Sequence, residues 1–64
     1  MKISVIVPAF NEEQGIATSL RSIRQAMTAF DDVRWSSELI VCDNNSTDGT
    51  AALARAEGAR VVFE

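Results

Sequence analysis

Two short apolar runs, each broken off by a cluster of polar, turn-forming residues, frame an amphipathic stretch, and this arrangement leaves few folds open. The first run, Ile3-Ser4-Val5-Ile6-Val7, stops in Pro8-Ala9-Phe10-Asn11-Glu12; the second, Leu39-Ile40-Val41-Cys42, stops in Asp43-Asn44-Asn45-Ser46. Ile3 to Val7 is β-branched and apolar at nearly every position, which suits a parallel strand covered by helices on both sides. Pro8 has no N–H for a sheet ladder, so the strand is expected to end there.

Asn11 is placed to cap the following helix, with Gln14 three residues on and Glu12 and Glu13 favourable at a helix amino end. Ile16, Leu20, Ile23, Met27 and Phe30 recur at steps of four, three, four and three. That spacing makes one amphipathic helix of about four to five turns whose stripe packs on a sheet. Arg21 and Arg24 fall off the stripe and form a solvated face.

Asp31 and Asp32 lead into a polar connection through Ser36 and Ser37. Adjacent aspartates resemble metal ligands, but these precede a strand and so lie at the wrong end of a sheet for a ligand crevice; Trp35 is expected to cover that end. Leu39 to Cys42 is the second strand. Asp43 to Gly49 is a dense turn, Ala51 to Ala56 a short helix closed by Gly58, and Val61 to Phe63 a third strand. Strand, helix, strand, helix, strand with right-handed crossovers gives a βαβαβ Rossmann-like α/β unit with a parallel sheet in the order 3-2-1.

Sixty-four residues make one unit at most, and a core of this size rarely supplies more than about 3–5 kcal/mol without staples or partners. The chain ends on the apolar Val61-Val62-Phe63-Glu64, and 1–64 reads as the amino-terminal part of a single larger domain, inactive by itself. A net charge of −3, with nine acids against six bases and no basic run, gives no footprint for nucleic acid. Cys42 has no partner for an internal disulfide, which points to a reducing compartment, and a small buried strand residue is its simplest role. The amino-terminal run, short and interrupted by Ser4, is expected to be neither a signal peptide nor a membrane span.

In a parallel sheet the two strand-end loops come together at the carboxyl rim, where open α/β sheets bind ligands. Asp43, Asn44, Asn11, Glu12 and Ser46 supply hydrogen-bonding groups, and Phe10 and Pro8 supply flat faces. A nucleobase needs both kinds of surface. Each polar residue also has a purely structural use: Asn11 as a cap of the first helix, Ser46 or Thr47 of the second, Asp43 as a brace of the turn. Glycines only at 15, 49 and 58 exclude GxGxxG, no GxxxxGK[ST] loop is present, and the absence of histidine removes the usual zinc and Cys-His sites.

The segments Ser4-Val5-Ile6-Val7-Pro8-Ala9-Phe10-Asn11-Glu12-Glu13 and Glu38-Leu39-Ile40-Val41-Cys42-Asp43-Asn44-Asn45-Ser46-Thr47-Asp48-Gly49-Thr50 together resemble the opening of family 2 glycosyltransferases with the GT-A fold. The resemblance implies a metal-dependent transferase that moves a sugar from a nucleoside-diphosphate sugar to an acceptor, with Mg²⁺ or Mn²⁺ as cofactor. It also implies that Pro8, Ala9, Phe10, Glu12, Cys42, Asp43 and Asn44 line the nucleotide-sugar site. The DxD metal motif and the catalytic base of such enzymes lie further along, so no catalytic or metal-binding residue is expected within these residues. A cytoplasmic setting follows, at the cytoplasmic face of a membrane if a later segment attaches there.

Many relatives carry two successive aspartates where this chain has Asp43 and Asn44. A carboxylate only accepts and matches the paired donors of guanine; an amide donates and accepts and matches the mixed edge of uracil. A UDP-sugar is therefore expected over a GDP-sugar. The alternatives are a non-catalytic nucleotide-binding α/β module that lacks the metal motif, and a regulatory domain phosphorylated at Asp43.

Overall fold

The computed structural model describes residues 1–63. Its elements are β1 (Lys2–Ala9), α1 (Ile16–Asp32), β2 (Ser36–Asp43), α2 (Thr50–Ala56) and β3 (Arg60–Phe63). The three strands are parallel in the order β1-β2-β3, as expected from the crossover rule. Lys2 stands opposite Ser36 and Ala9 opposite Asp43, so β1 and β2 end level with one another.

Alternate residues of each strand face opposite sides of the sheet. Val5, Val7, Ala9, Leu39, Val41 and Val61 turn toward the helices and meet Ile16, Leu20, Ile23, Met27 and Ala54, with Leu20, Val41 and Ala54 fully buried. The opposite face carries Ile6, 63% exposed, and Val62, 42% exposed. Among the described residues both helices lie on one side of the first strand, where helices on both sides were expected. Both crossovers step the same way across the sheet, and right-handed connections that step the same way lay their helices on one face.

Three boundaries and the burial of Cys42 also differ from the sequence reading. β1 runs through Pro8 to Ala9. The Ala9 carbonyl points toward β2, where it accepts the Asn44 N–H at 2.8 Å. Strand alternation therefore turns the nitrogen of Pro8 to the outer edge of β1, where no ladder bond is lost. β2 begins at Ser36 rather than Leu39, because Ser36 and Ser37 pair with Lys2 and Ile3 despite their polarity. Cys42 is half-buried on the helix-free face rather than fully buried. Finally, α1 starts at Ile16, with Gly15 rather than Asn11 at its cap position and no side-chain cap.

Both helices stop in the same way. At the end of α1, Arg34 has φ of 60°, Arg34 N–H bonds to Asp31 O at 3.0 Å, and Trp35 N–H bonds to Phe30 O at 2.9 Å. This paired bonding, with its usual apolar contact, is a Schellman closure. The contact is the stack of Trp35 on Phe30, with ring centroids 6.1 Å apart, and it gives Trp35 its place at the far end of the molecule. At the end of α2, Gly58 has φ of 86°, its N–H bonds to Arg55 O at 2.9 Å, and Ala59 N–H bonds to Ala54 O at 3.1 Å. The two helices are tied by Arg21 to Glu57 at 2.7 Å and by Arg24 to the Glu57 carbonyl.

Candidate functional site

The β1–α1 and β2–α2 loops lie side by side at the carboxyl rim, because Ala9 and Asp43 are register partners and the backbone pairing continues from Asn44 N–H to Ala9 O. Asp31 and Asp32 occupy the opposite end of α1, exposed and remote from this rim.

The two loops exchange hydrogen bonds in both directions. From the first loop, Asn11 N–H donates to Ser46 Oγ at 2.9 Å, Glu12 N–H to Thr50 Oγ1 at 2.8 Å, and Glu13 N–H to Asp48 Oδ2 at 3.3 Å. From the second, Thr47 N–H donates to Asn11 Oδ1 at 2.9 Å and Gly49 N–H to Glu13 Oε2 at 2.7 Å. The backbone donors on the approach to α1 are therefore satisfied by the neighbouring loop and not by a local cap. Asn11 adopts φ of 48° to reach across, a conformation that asparagine tolerates better than most residues.

Within the second loop, Asp43 is only 1% exposed. Its Oδ1 accepts the Ser46 N–H at 3.3 Å and also the Ser46 hydroxyl. Asp48 Oδ1 accepts the Thr50 N–H at 3.0 Å and the Thr50 hydroxyl. The bond from Thr50 holds the Asp48 carboxyl below its ordinary range, outweighing partial desolvation, with backbone donors adding to the effect. Asp48 thus serves the start of α2, the place that Ser46 or Thr47 was expected to fill.

The seven residues singled out from the sequence sort into two layers. Ala9 and Asp43 are buried under the rim, while Pro8, Phe10, Glu12 and Asn44 are exposed and Cys42 is half-buried beside Pro8, its register partner. Phe10 keeps 56% of its surface open. An open recess of about 390 Å³ adjoins this surface, lined by Asn11 to Gly15 and Asp48. No lysine or arginine occurs in Pro8 to Gly15 or in Asp43 to Gly49, so neither loop can neutralise a diphosphate.

Sequence reading missed Thr50 and the outward reach of Glu13. Thr50 is fully buried, and a threonine following Asp-Gly at the start of a helix was the available signal. Among the described residues no cluster of three or more His, Cys, Asp or Glu side chains is arranged to hold a metal ion. No helix among them is long and apolar enough to cross a membrane.

The sequence profile described as Glycosyl transferase family 2 matches residues 4–63. The chain belongs to this family. Glucosyl-3-phosphoglycerate synthase of Mycobacterium tuberculosis is 47% identical over 60 residues, covering 94% of this chain and 17% of that protein. Dodecaprenyl-phosphate galacturonate synthase of Rhizobium johnstonii is 40% identical over 55 residues, 86% of this chain and 15% of that protein. The crystal structure of the M. tuberculosis synthase with Mn²⁺, UDP and glucosyl-3-phosphoglycerate superposes with a TM-score of 0.74 at 43% identity, over 97% of this chain and 20% of that one. This chain spans less than a quarter of each of these relatives, and its strands and helices match the GT-A fold at their amino-terminal portion.

Proposed function

We propose that residues 1–64 are the amino-terminal part of a single GT-A domain and form the nucleoside side of the donor site in a glycosyltransferase that uses a nucleoside-diphosphate sugar. The observation that carries this reading is the shared rim: Asn44 N–H meets Ala9 O at 2.8 Å, so the Pro8-to-Glu12 corner and the Asp43-Asn44 corner form one surface. In this reading Phe10 and Pro8 offer faces to the base and Asn44 meets its edge. Glu12 and Cys42 border the pocket, and Ala9 and Asp43 make its floor. The work of these residues is to bind and orient the donor. The reacting groups come from the rest of the domain.

UDP is favoured as the nucleotide, since the Asn44 amide can both donate to and accept from uracil. The relative solved with UDP and Mn²⁺ supports this choice. Among the described residues no cluster of His, Cys, Asp or Glu side chains is arranged to hold a divalent metal. When bound elsewhere in the domain, such a metal would supply charge neutralisation at the diphosphate. The acceptor is set elsewhere too: two relatives similar over this same stretch are named for a phosphoglycerate product and for a dodecaprenyl phosphate product. A cytoplasmic setting agrees with the unpaired Cys42.

Calorimetric titration of the complete protein with UDP and GDP tests the proposal. Preferential UDP binding is expected, with Asn44→Asp shifting preference toward GDP. Clear preference of the wild type for GDP refutes the uracil assignment, and failure to bind either nucleotide refutes the pocket. UDP binding without turnover of any UDP-sugar would favour the non-catalytic nucleotide-binding module instead.

A further inference from the structure

Asn11 and Ser46 lie outside the contact set proposed above, yet together they join its two halves. We infer that Asn11 is a positioning residue for the nucleoside pocket, its side-chain acceptor holding Thr47 and with it the loop that carries Asn44; this rests on the donor-site reading. The main-chain N–H of residue 11, which every variant but proline keeps, donates to Ser46 Oγ at 2.9 Å, and the Ser46 hydroxyl donates in turn to the buried Asp43 carboxylate. A hydrogen-bonded chain thus runs from the first loop to the residue immediately before Asn44. The side chain adds the bond that the variants test: Asn11 Oδ1 accepts the Thr47 N–H at 2.9 Å and pins the second loop beyond Asn44.

Asn44 needs this support because it is exposed and stands between a strand end and Asn45, whose φ is 59°. Among the described residues its own backbone tie is the bond to Ala9 O. The direction of its amide therefore depends on how the segment from 44 to 47 is held at both ends. A loop left free must be ordered when the nucleotide arrives, and that ordering subtracts from affinity. Position 11 has two requirements, a side-chain acceptor and tolerance of positive φ. Asparagine and aspartate meet both, whereas glycine meets only the second.

The test is UDP titration of the complete enzyme carrying Asn11→Gly or Asn11→Asp, with Phe10→Ala and Asn44→Ala as pocket controls. Asn11→Gly is expected to weaken UDP about fivefold, the factor equivalent to about 1 kcal/mol for one lost hydrogen bond. Asn11→Asp should restore affinity to within about twofold. The donor KM of the glycine variant should rise with kcat unchanged, the mark of a ground-state binding effect. A lowered urea midpoint with unchanged UDP affinity would show a merely structural role and overturn the inference. So would an Asn11→Asp variant as weak as the glycine one. If the pocket controls lose UDP and Asn11→Gly does not, the positioning role fails while the donor site stands. If neither pocket control changes UDP affinity, the donor site fails and takes the positioning role with it.

Discussion

Replacing Thr50 by valine removes one hydroxyl from a fully buried side chain at nearly constant volume. Thr50 Oγ1 accepts the Glu12 N–H at 2.8 Å, so the valine leaves that amide without its partner. A stranded donor costs about 1–3 kcal/mol when fully buried. Glu12 itself is exposed, so water reaches part of the gap, and the lower end, about 1 to 2 kcal/mol, is the expected loss. The same hydroxyl donates to Asp48, whose carboxyl is held below its ordinary range first by that bond. A carboxyl with a depressed folded pKa contributes stability above its unfolded pKa and loses it as pH falls through the folded value. The gap in urea midpoint between wild type and Thr50→Val should therefore be constant from neutral pH to about pH 5 and narrow below about pH 4, where the unfolded carboxyl begins to protonate. It should not close, because the bond from the main-chain N–H of residue 12 to Thr50 Oγ1 involves no titrating group. Amide exchange at Glu12, followed by mass spectrometry or NMR, should quicken in the variant while exchange in the middle of β2 changes only with global stability. A Thr50→Val protein as stable as wild type, with Glu12 equally protected, would refute the idea that the second loop caps the approach to α1.

Two further outcomes follow from packing and charge. Leu20 is completely buried between α1 and the sheet, and Leu20→Ala should cost about 2–5 kcal/mol in chemical denaturation; a loss well under 1 kcal/mol would mean that α1 does not pack as described. The Glu38 carboxyl is held below its ordinary value chiefly by the Ser4 hydroxyl at 2.7 Å, with Lys2 and Arg60 assisting. Ser4→Ala should raise its pKa in an NMR titration, and an unchanged titration curve would assign the shift to the two cations instead.

Much of the architecture is legible in residue order. The step pattern from Ile16 to Phe30 predicts α1, and Ile16 and Leu20 are indeed its most buried positions. Gly58 predicts the stop of α2, and its φ of 86° is the conformation that only glycine adopts freely. The candidate site is legible in its location, since two strand ends rich in turn residues must meet at one rim if the strands are adjacent and parallel. Its internal wiring is not. Asn11 followed by Gln14 has the form of a local capping box, yet its acceptor is used by Thr47. Asn11, Ser46 and Thr47 were each expected to cap a nearby helix, and a pattern confined to neighbours cannot register the bonds that Asn11 makes with Ser46 and Thr47 across the rim.

By itself the order of residues determined the alternation of strands and helices, the family, and which strand positions are apolar, because each depends on periodicity or on contiguous motifs. Tertiary structure decided the rest. The common direction of both crossovers put the helices on one face and left Ile6 and Val62 open on the other. The level ends of β1 and β2 brought the loops within hydrogen-bonding range, so Ser46, Asp48 and Thr50 satisfy the donors that precede α1. A backbone N–H takes whichever acceptor the folded chain holds nearest in good geometry, and that distance depends on strand register rather than on separation along the sequence.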